Sequence, residues 1–478
     1  MKAFANGTAQ NVETPPELSD FPDWLSPMLV KELRQGLRTR AFVLSLTALH
    51  VAMVLILANG LARIVDGLNA DSVGTLFWGC VYLLLLAGIS LRAINGLHAE
   101  RSLRTLELLS AAGVSGTRLA FGKWVALMVQ GALMTVSVAP YFVMRYYLGS
   151  VDLMLEAKLL FVSFLLAGVC AAFCIAASVG NLLFRSAAAA GIGLGTLIFW
   201  GGMTALVDNA ENLAKFNRMG FEWMAFFGMA SLAVTLLLRL AGDAIDTPAH
   251  NGAVLPRALL VVGWSFVFVP GYERLVEGFQ ISHLFLMGTL TCVAFFWHLH
   301  GNLGFRENQL RPFARLGLIG RPLALLFSPN WVGTLWLPPL ALFSLMHARP
   351  DREFLPFFWL LGANLLSGVL VWRLFFKRNR DPKGCLLLYW ASGGVIAALA
   401  YALGARSHLA WTALIPPVGI WQYTGAAEWN KIAAEWTESA RSSCLVHLLL
   451  CSFTALFWIR ASKEWTQAFS KPNSGKPV

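Results

Sequence analysis

The sequence has few charged residues for its length. Only 13% of its 478 residues are charged, whereas a soluble domain carries roughly 25%. Hydrophobic residues make up 57%, and the mean hydropathy is +0.62. The longest polar segments, 1–23, 100–123 and 302–330, are each too short to bury a core of their own. The composition excludes a water-soluble fold and predicts an all-α, polytopic integral membrane protein.

The sequence lacks the Cys-x-x-Cys pair typical of redox and metal sites, and it lacks a phosphate-binding loop for nucleotides. None of the seven cysteines forms a Cys-x-x-Cys pair, so we interpret them as small core residues. A phosphate-binding loop needs Gly-x4-Gly-Lys-Ser/Thr. At Gly122-Lys123 the next residue is Trp124, and Thr117 stands where the first glycine belongs. We therefore expect no catalytic residues, no cofactor and no metal, and no ATP hydrolysis by this chain.

Apolar runs of membrane length recur about twelve times along the chain. They are 41–60, 73–94, 124–144, 159–180, 187–207, 221–240, 255–271, 281–300, 331–346, 354–372, 386–404 and 444–459. The apolar run 410–421 is shorter and contains Pro416 and Pro417. This pattern favours a re-entrant or interfacial segment over a further span.

The distribution of basic residues predicts the orientation. With the amino terminus inside, the cytoplasmic segments hold 26 of the 37 Lys and Arg residues, as the positive-inside rule requires. Both termini are then cytoplasmic, and 408–441 is an outer segment in which an amphipathic stretch follows a broken apolar hairpin. The net charge of +11 is explained by this topology and by anionic lipid, without nucleic acid.

The pattern divides the chain into three parts. Residues 1–40 form a cytoplasmic leader with an amphipathic interface helix, 41–240 a six-helix membrane domain with a cytoplasmic loop at 95–123, and 241–478 a second six-helix region. In the interface helix, leucines recur every four residues on one side. Its charged residues, which we expect to meet anionic lipid headgroups, are Lys31, Glu32, Arg34 and Arg38.

Small residues recur every four positions in runs 159–180 and 187–207, which lets helix backbones approach closely in lipid. In the first run they are Gly168, Ala172, Ala176 and Gly180, and in the second Ala187, Gly191 and Gly195. With the short link 181–186 between them, the two runs are predicted to form a rigid antiparallel hairpin.

The cytoplasmic loop between the second and third runs has a charged helical face. Glu100, Arg104 and Glu107 fall at helical spacing, and Gly113 and Gly116 end the helix. A short charged helix followed by a glycine break and a basic return to the membrane predicts a docking surface.

At this point the sequence resembles the type-2 ABC transporter permeases. Members typically have a basic amphipathic helix before the first span and a Glu-Lys/Arg-x-x-Gly-Thr-Leu-Glu-x-Leu run after the second, ending in Gly-Lys. The matching residues here are Glu100, Arg101, Thr105, Leu106, Glu107 and Leu109, then Gly122 and Lys123. The family more often has glycine where this chain has Arg104.

The resemblance covers roughly the first half of the chain. It implies a multi-pass permease subunit of a bacterial cytoplasmic (inner) membrane exporter, a separate ABC ATPase that docks on the loop, and a pairing of two permeases as a dimer. No second copy of the motif occurs, so 241–478 is either a degenerate permease half or an appended module.

Two other functions, a secondary transporter and a membrane-embedded enzyme, are each consistent with part of the sequence pattern. A secondary transporter also has twelve spans and internal termini, but the Gly-x-x-x-Asp-Arg/Lys pattern of major-facilitator proteins is lacking. A membrane-embedded enzyme is suggested by Gly113-Val-Ser-Gly116, although this lies in a polar loop, and His298 and His300 point about 200° apart on a helix. For His50 and Asn364, both within apolar runs, the favoured interpretation is interhelical hydrogen bonding.

Overall fold

The computed structural model describes most of the chain, and all regular structure in the described part is helical. The described residues are 27–66, 71–102, 114–148, 152–180, 182–208, 221–246, 252–269, 280–298, 307–317, 319–327, 332–348, 355–375, 389 and 429–462. The prediction of an all-α protein is confirmed for these residues.

The helices follow one another with short connections. They are α1 Pro27–Leu37, α2 Arg40–Val65, α3 Asp71–Tyr82, α4 Ile89–Ala93, α5 Gly96–Ser102, α6 Gly116–Leu148, α7 Leu153–Ala177, α8 Leu182–Asp208, α9 Phe221–Asp243, α10 Val254–Ser265, α11 Gln280–His298, α12 Glu307–Ala314, α13 Gly320–Phe327, α14 Leu337–Ala348, α15 Leu355–Phe375 and α16 Trp429–Ala461. A π-helical turn, Leu83–Gly88, joins α3 to α4, and 3-10 turns lie at Phe266–Phe268 and Val332–Thr334.

Within the described residues, five helices are long and apolar enough to cross a bilayer. They are Arg40–Val65, Val73–Glu100, Gly116–Tyr147, Leu153–Ala177 and Phe226–Asp243. Each of them contains one of the predicted runs or most of it. Shorter apolar helices occupy four of the later runs. The chain is therefore a multi-pass helical membrane protein. Of the run 386–404 only Tyr389 is described, so the count of twelve spans stays a prediction.

Nearly all the buried hydrophobic residues of the described part belong to two clusters, and a third contains only Leu310 and Ala324. The smaller of the two joins α2, α3, α6 and α7 and includes Met53, Phe77 and Tyr82, all fully buried. The larger one extends from α4 and α5 to α16 and includes Leu236 and Trp264. It crosses residue 240 without a break, so the predicted first and second membrane regions share a core.

The last helix differs from the prediction. An amphipathic stretch up to Arg441 and a separate span from Cys444 were expected, but α16 is one continuous helix of 33 residues. It packs along α15, where the Cys451 thiol donates to the Leu366 carbonyl at 3.3 Å. The part of the predicted outer segment from 408 to 428 lies outside the described residues.

The two rows of small residues lie in different environments. On α7, Ala172 and Ala176 are buried, and Gly168 lets α6 approach closely: its carbonyl accepts a hydrogen bond from Trp124 Nε1 at 2.9 Å. On α8, by contrast, a Cβ at Gly191 or Gly195 would meet nothing within 4 Å.

The glycines of the α8 row therefore make no close contact with α7. Gly180, the last residue of the α7 row, is half-buried, and Ala187, the first of the α8 row, is exposed. The α7 row meets α6 at Gly168, where the indole of Trp124 binds. The rigid antiparallel hairpin stays a prediction.

Candidate functional site

Helix α1 has one buried and one charged side, as its sequence pattern predicts. Leu33 is buried against α6, whereas Lys31, Arg34 and Arg38 are exposed. Such a helix can lie flat at a membrane surface, with the basic side chains available to anionic headgroups. Glu32 is the exception among the charged residues, because it is mostly buried.

Hydrogen bonds in the short turn between α1 and α2 fix the orientation of α1. Thr39 caps α2 by accepting from the Phe42 amide at 3.3 Å and donates to the Gly36 carbonyl at 2.8 Å. Arg92 Nη2, from α4, donates to Thr39 Oγ1 at 3.0 Å and to the Gly36 carbonyl at 3.2 Å. A side chain at position 36 would overlap the Gln130 amide. The capping chemistry of Thr39 and the small size of Gly36 thus set the angle at which α1 leaves α2.

An ion-pair centre joins three helices at this end of the bundle. Lys123 Nζ, in the second turn of α6, donates to Glu32 Oε1 of α1 at 2.9 Å and to Glu100 Oε1 of α5 at 3.1 Å. The three side chains are only 10–14% exposed. Charge-assisted bonds that are shielded in this way are stronger than surface pairs. We call Glu32, Lys123 and Glu100 the cytoplasmic ion cluster, after the side of the membrane on which the distribution of basic residues predicts it.

The cluster changes the interpretation of the predicted coupling residues. Glu100 was expected to present its charge to a partner along a face shared with Arg104 and Glu107, but its carboxylate is bound to Lys123 within the chain. Arg101 lies in α5, which ends at Ser102. The other predicted coupling residues lie outside the described part of the chain. They are Arg104, Thr105, Leu106, Glu107 and Leu109.

A second buried ion pair lies at the opposite end of α6, and the sequence analysis missed it. Arg145 Nη1, near the end of α6, donates to Glu156 Oε1 in the first turn of α7 at 2.5 Å, and the two side chains are 10% and 5% exposed. The Arg145 guanidinium also lies 4.7 Å from the centre of the Phe77 ring. Both residues lie between the predicted runs 124–144 and 159–180, but α6 and α7 extend beyond these runs and bury them. Opposite charges at the facing ends of consecutive apolar runs were the available signal.

Aromatic rings surround this second pair. Trp78 stacks on Tyr82 with ring centres 5.3 Å apart, and Tyr82 meets Phe199 of α8 edge-on at 5.0 Å. Tyr82 is fully buried and stands directly before the π-helical turn, a feature often found at functional sites. Rings packed this closely exclude water from the pair. An ionised pair shielded within a membrane helix bundle is a functional-site candidate.

His50, a polar residue within an apolar run, has a structural explanation. His50 Nδ1 lies 2.8 Å from the Tyr141 hydroxyl across α2 and α6, which is the interhelical hydrogen bond that we predicted. Within the described ranges, no three His, Cys, Asp or Glu side chains are placed to hold a metal ion. Gly113 and His300 lie outside those ranges.

Comparison with known proteins adds no relative. No protein-family model matches the chain, and no curated protein and no solved structure matches it either. The class that the fold defines is a multi-pass helical membrane protein with an ion-pair centre at each end of its third long helix.

Proposed function

We propose that this chain is the permease subunit of an ATP-driven exporter and that a separate ABC ATPase supplies the energy. In this proposal it has twelve spans in a bacterial inner membrane, both termini are cytoplasmic, and the loop between α5 and α6 receives the ATPase. The family motif at 100–123 and the absence of a phosphate-binding loop from the sequence support this division of labour.

The observation that carries the proposal is the cytoplasmic ion cluster. The predicted docking segment begins at Glu100 and returns to the membrane through α6, and Lys123 ties both of its ends to α1. A push or pull on this segment would therefore move α1 and α6 together, because charge-assisted bonds hold all three helices in one body. An ATPase bound there could change the packing of the bundle without touching the transported molecule.

The test is capture of an ATPase by the full-length chain, tagged at its carboxyl terminus and purified from its native membrane. Glu107→Lys reverses a charge on the predicted docking face, and Glu428→Lys is the matched reversal in the predicted outer segment. Glu100 is unsuitable, because its reversal would also break the bond to Lys123. A lost charge contact of about 2 kcal/mol lowers recovery roughly 30-fold, at 1.4 kcal/mol for each factor of ten.

We expect ATPase activity to purify with the wild-type chain and with Glu428→Lys, and to be lost with Glu107→Lys. A wild-type preparation without any ATPase subunit would contradict the proposal. Equal recovery with the two variants would leave an ATPase partner but move its docking site elsewhere.

A further inference from the structure

A groove of about 400 Å³ lies between the first turns of α6 and the last turns of α9. Its polar half is formed by Ser115, Thr117, Arg118 and Arg239, and its apolar half includes Phe121 and Leu238. The volume is in the range of small-molecule sites. The cytoplasmic ion cluster does not contribute to the lining.

The polar half is suited to an anion. Arg239 Nη1 donates to Thr117 Oγ1 at 3.3 Å, which places one guanidinium on the groove wall, and a guanidinium has five N–H donors in all. Arg118 is exposed at the groove mouth. Two guanidinium groups and two hydroxyl groups make a set that binds phosphate oxygens well.

Two acids lie near the groove, and neither is part of its lining. Asp246 Oδ1 accepts from the Gly116 amide at 2.6 Å and so caps the start of α6. Asp243 lies against Gly252 and within electrostatic reach of Arg239, so it offsets part of that charge. The close approach of Gly116 to the Gly242 carbonyl holds the two helix ends together behind the groove. Arg118 therefore supplies most of the positive charge at the groove, and Arg239 adds hydrogen-bond donors to it.

The polar and apolar halves follow each other along the helix axes. Phe121 comes about one turn after Arg118 on α6 and is 53% exposed. On α9, Val234 comes more than one turn before Arg239, lines the groove and is half-buried. One turn of helix advances about 5.4 Å into the membrane. A ligand that filled the groove would need a negative group at the membrane surface and an apolar chain beside it.

We propose that this groove binds one anionic phospholipid from the leaflet on that side. Its phosphate lies on Arg118 and Arg239, and its acyl chain runs along Phe121 and Val234. A free phosphate would leave the apolar half empty, and a zwitterionic lipid would bring its own cation to the arginines. The inference does not rest on the transport function proposed above.

The experiment is native mass spectrometry of the full-length protein with two lipids of equal chain length, phosphatidylglycerol and phosphatidylcholine. We expect one phosphatidylglycerol per chain to be held at least tenfold more tightly than phosphatidylcholine. Arg118→Gln should lower this preference about tenfold, and because Arg118 is exposed the fold will tolerate the change. Arg118→Lys/Arg239→Lys should keep most of it. Arg63→Gln is the matched control, since it removes an arginine in the last turn of α2 that does not line the groove.

Three outcomes would overturn the proposal. The first is equal retention of the two lipids by the wild-type chain. The second is the same loss of phosphatidylglycerol in Arg118→Gln and in Arg63→Gln, or in neither. The third is displacement of the bound lipid by millimolar inorganic phosphate or glycerol phosphate, which would assign the arginines to a soluble phosphate compound.

Discussion

Removing the central cation of the cytoplasmic ion cluster should release α1 from the bundle. Lys123→Met keeps most of the side-chain length but removes the cation that lies 2.9 Å from the Glu32 carboxylate and 3.1 Å from the Glu100 carboxylate. Each charge-assisted hydrogen bond contributes about 1.5–3 kcal/mol. Since the carboxylates keep 13–14% exposure and can draw in water, the net loss should be about 3 kcal/mol.

Amide hydrogen exchange of the Pro27–Leu37 helix measures this loss directly, because local opening of α1 exposes its amides. A loss of about 3 kcal/mol corresponds to exchange roughly 100-fold faster, at 1.4 kcal/mol for each factor of ten. The triple variant Lys123→Met/Glu32→Gln/Glu100→Gln should recover most of the protection, because it removes all three charges of the cluster together. Lys31→Met removes an exposed cation from the same helix and is the matched control.

Two results would refute this account. If Lys123→Met changed the exchange of α1 by less than threefold, apolar packing of Leu33 alone would hold the helix. If the triple variant exchanged as fast as Lys123→Met, the charges would not be the cause.

Three further predictions test the rest of the architecture. Gly242→Ala should lower the free energy of thermal unfolding in detergent by about 2 kcal/mol, because its Cβ would lie 2.5 Å from a backbone nitrogen of α6. A Cβ at Gly191 would meet nothing, so Gly191→Ala should change it by no more than about 0.5 kcal/mol; equal effects would contradict the close approach. Arg145→Met should cost about 3–5 kcal/mol in the same assay, and Arg145→Met/Glu156→Met should recover most of it; a double variant no better than the single one would show that the pairing is not what matters. A reporter that is active only outside the cell should be silent when fused to Val478, and a strong signal would overturn the internal carboxyl terminus.

Sequence patterns predicted the helices better than they predicted the contacts. Apolar runs located the long helices, because a membrane demands about 20 apolar residues wherever a helix crosses it. The Lys123 bridge was not predictable, since it depends on how three helices meet in space. Nothing in the local sequence distinguishes Glu100, which is bound inside the chain, from the exposed charges of α1.

The two ion-pair centres lie at opposite ends of one helix. Lys123 and Arg145 are both on α6, and the intervening residues span about 33 Å at 1.5 Å per residue, close to the roughly 30 Å thickness of the hydrocarbon core. Each cation is bound to a carboxylate on another helix: Lys123 lies 2.9 Å from Glu32 of α1, and Arg145 is paired with Glu156 of α7. Helix α6 is thus fastened near both membrane surfaces, while its middle is held by apolar contacts and by the Trp124 bond to Gly168. A force applied near Lys123 would therefore be carried along α6 to the Arg145–Glu156 pair and the aromatic rings around it.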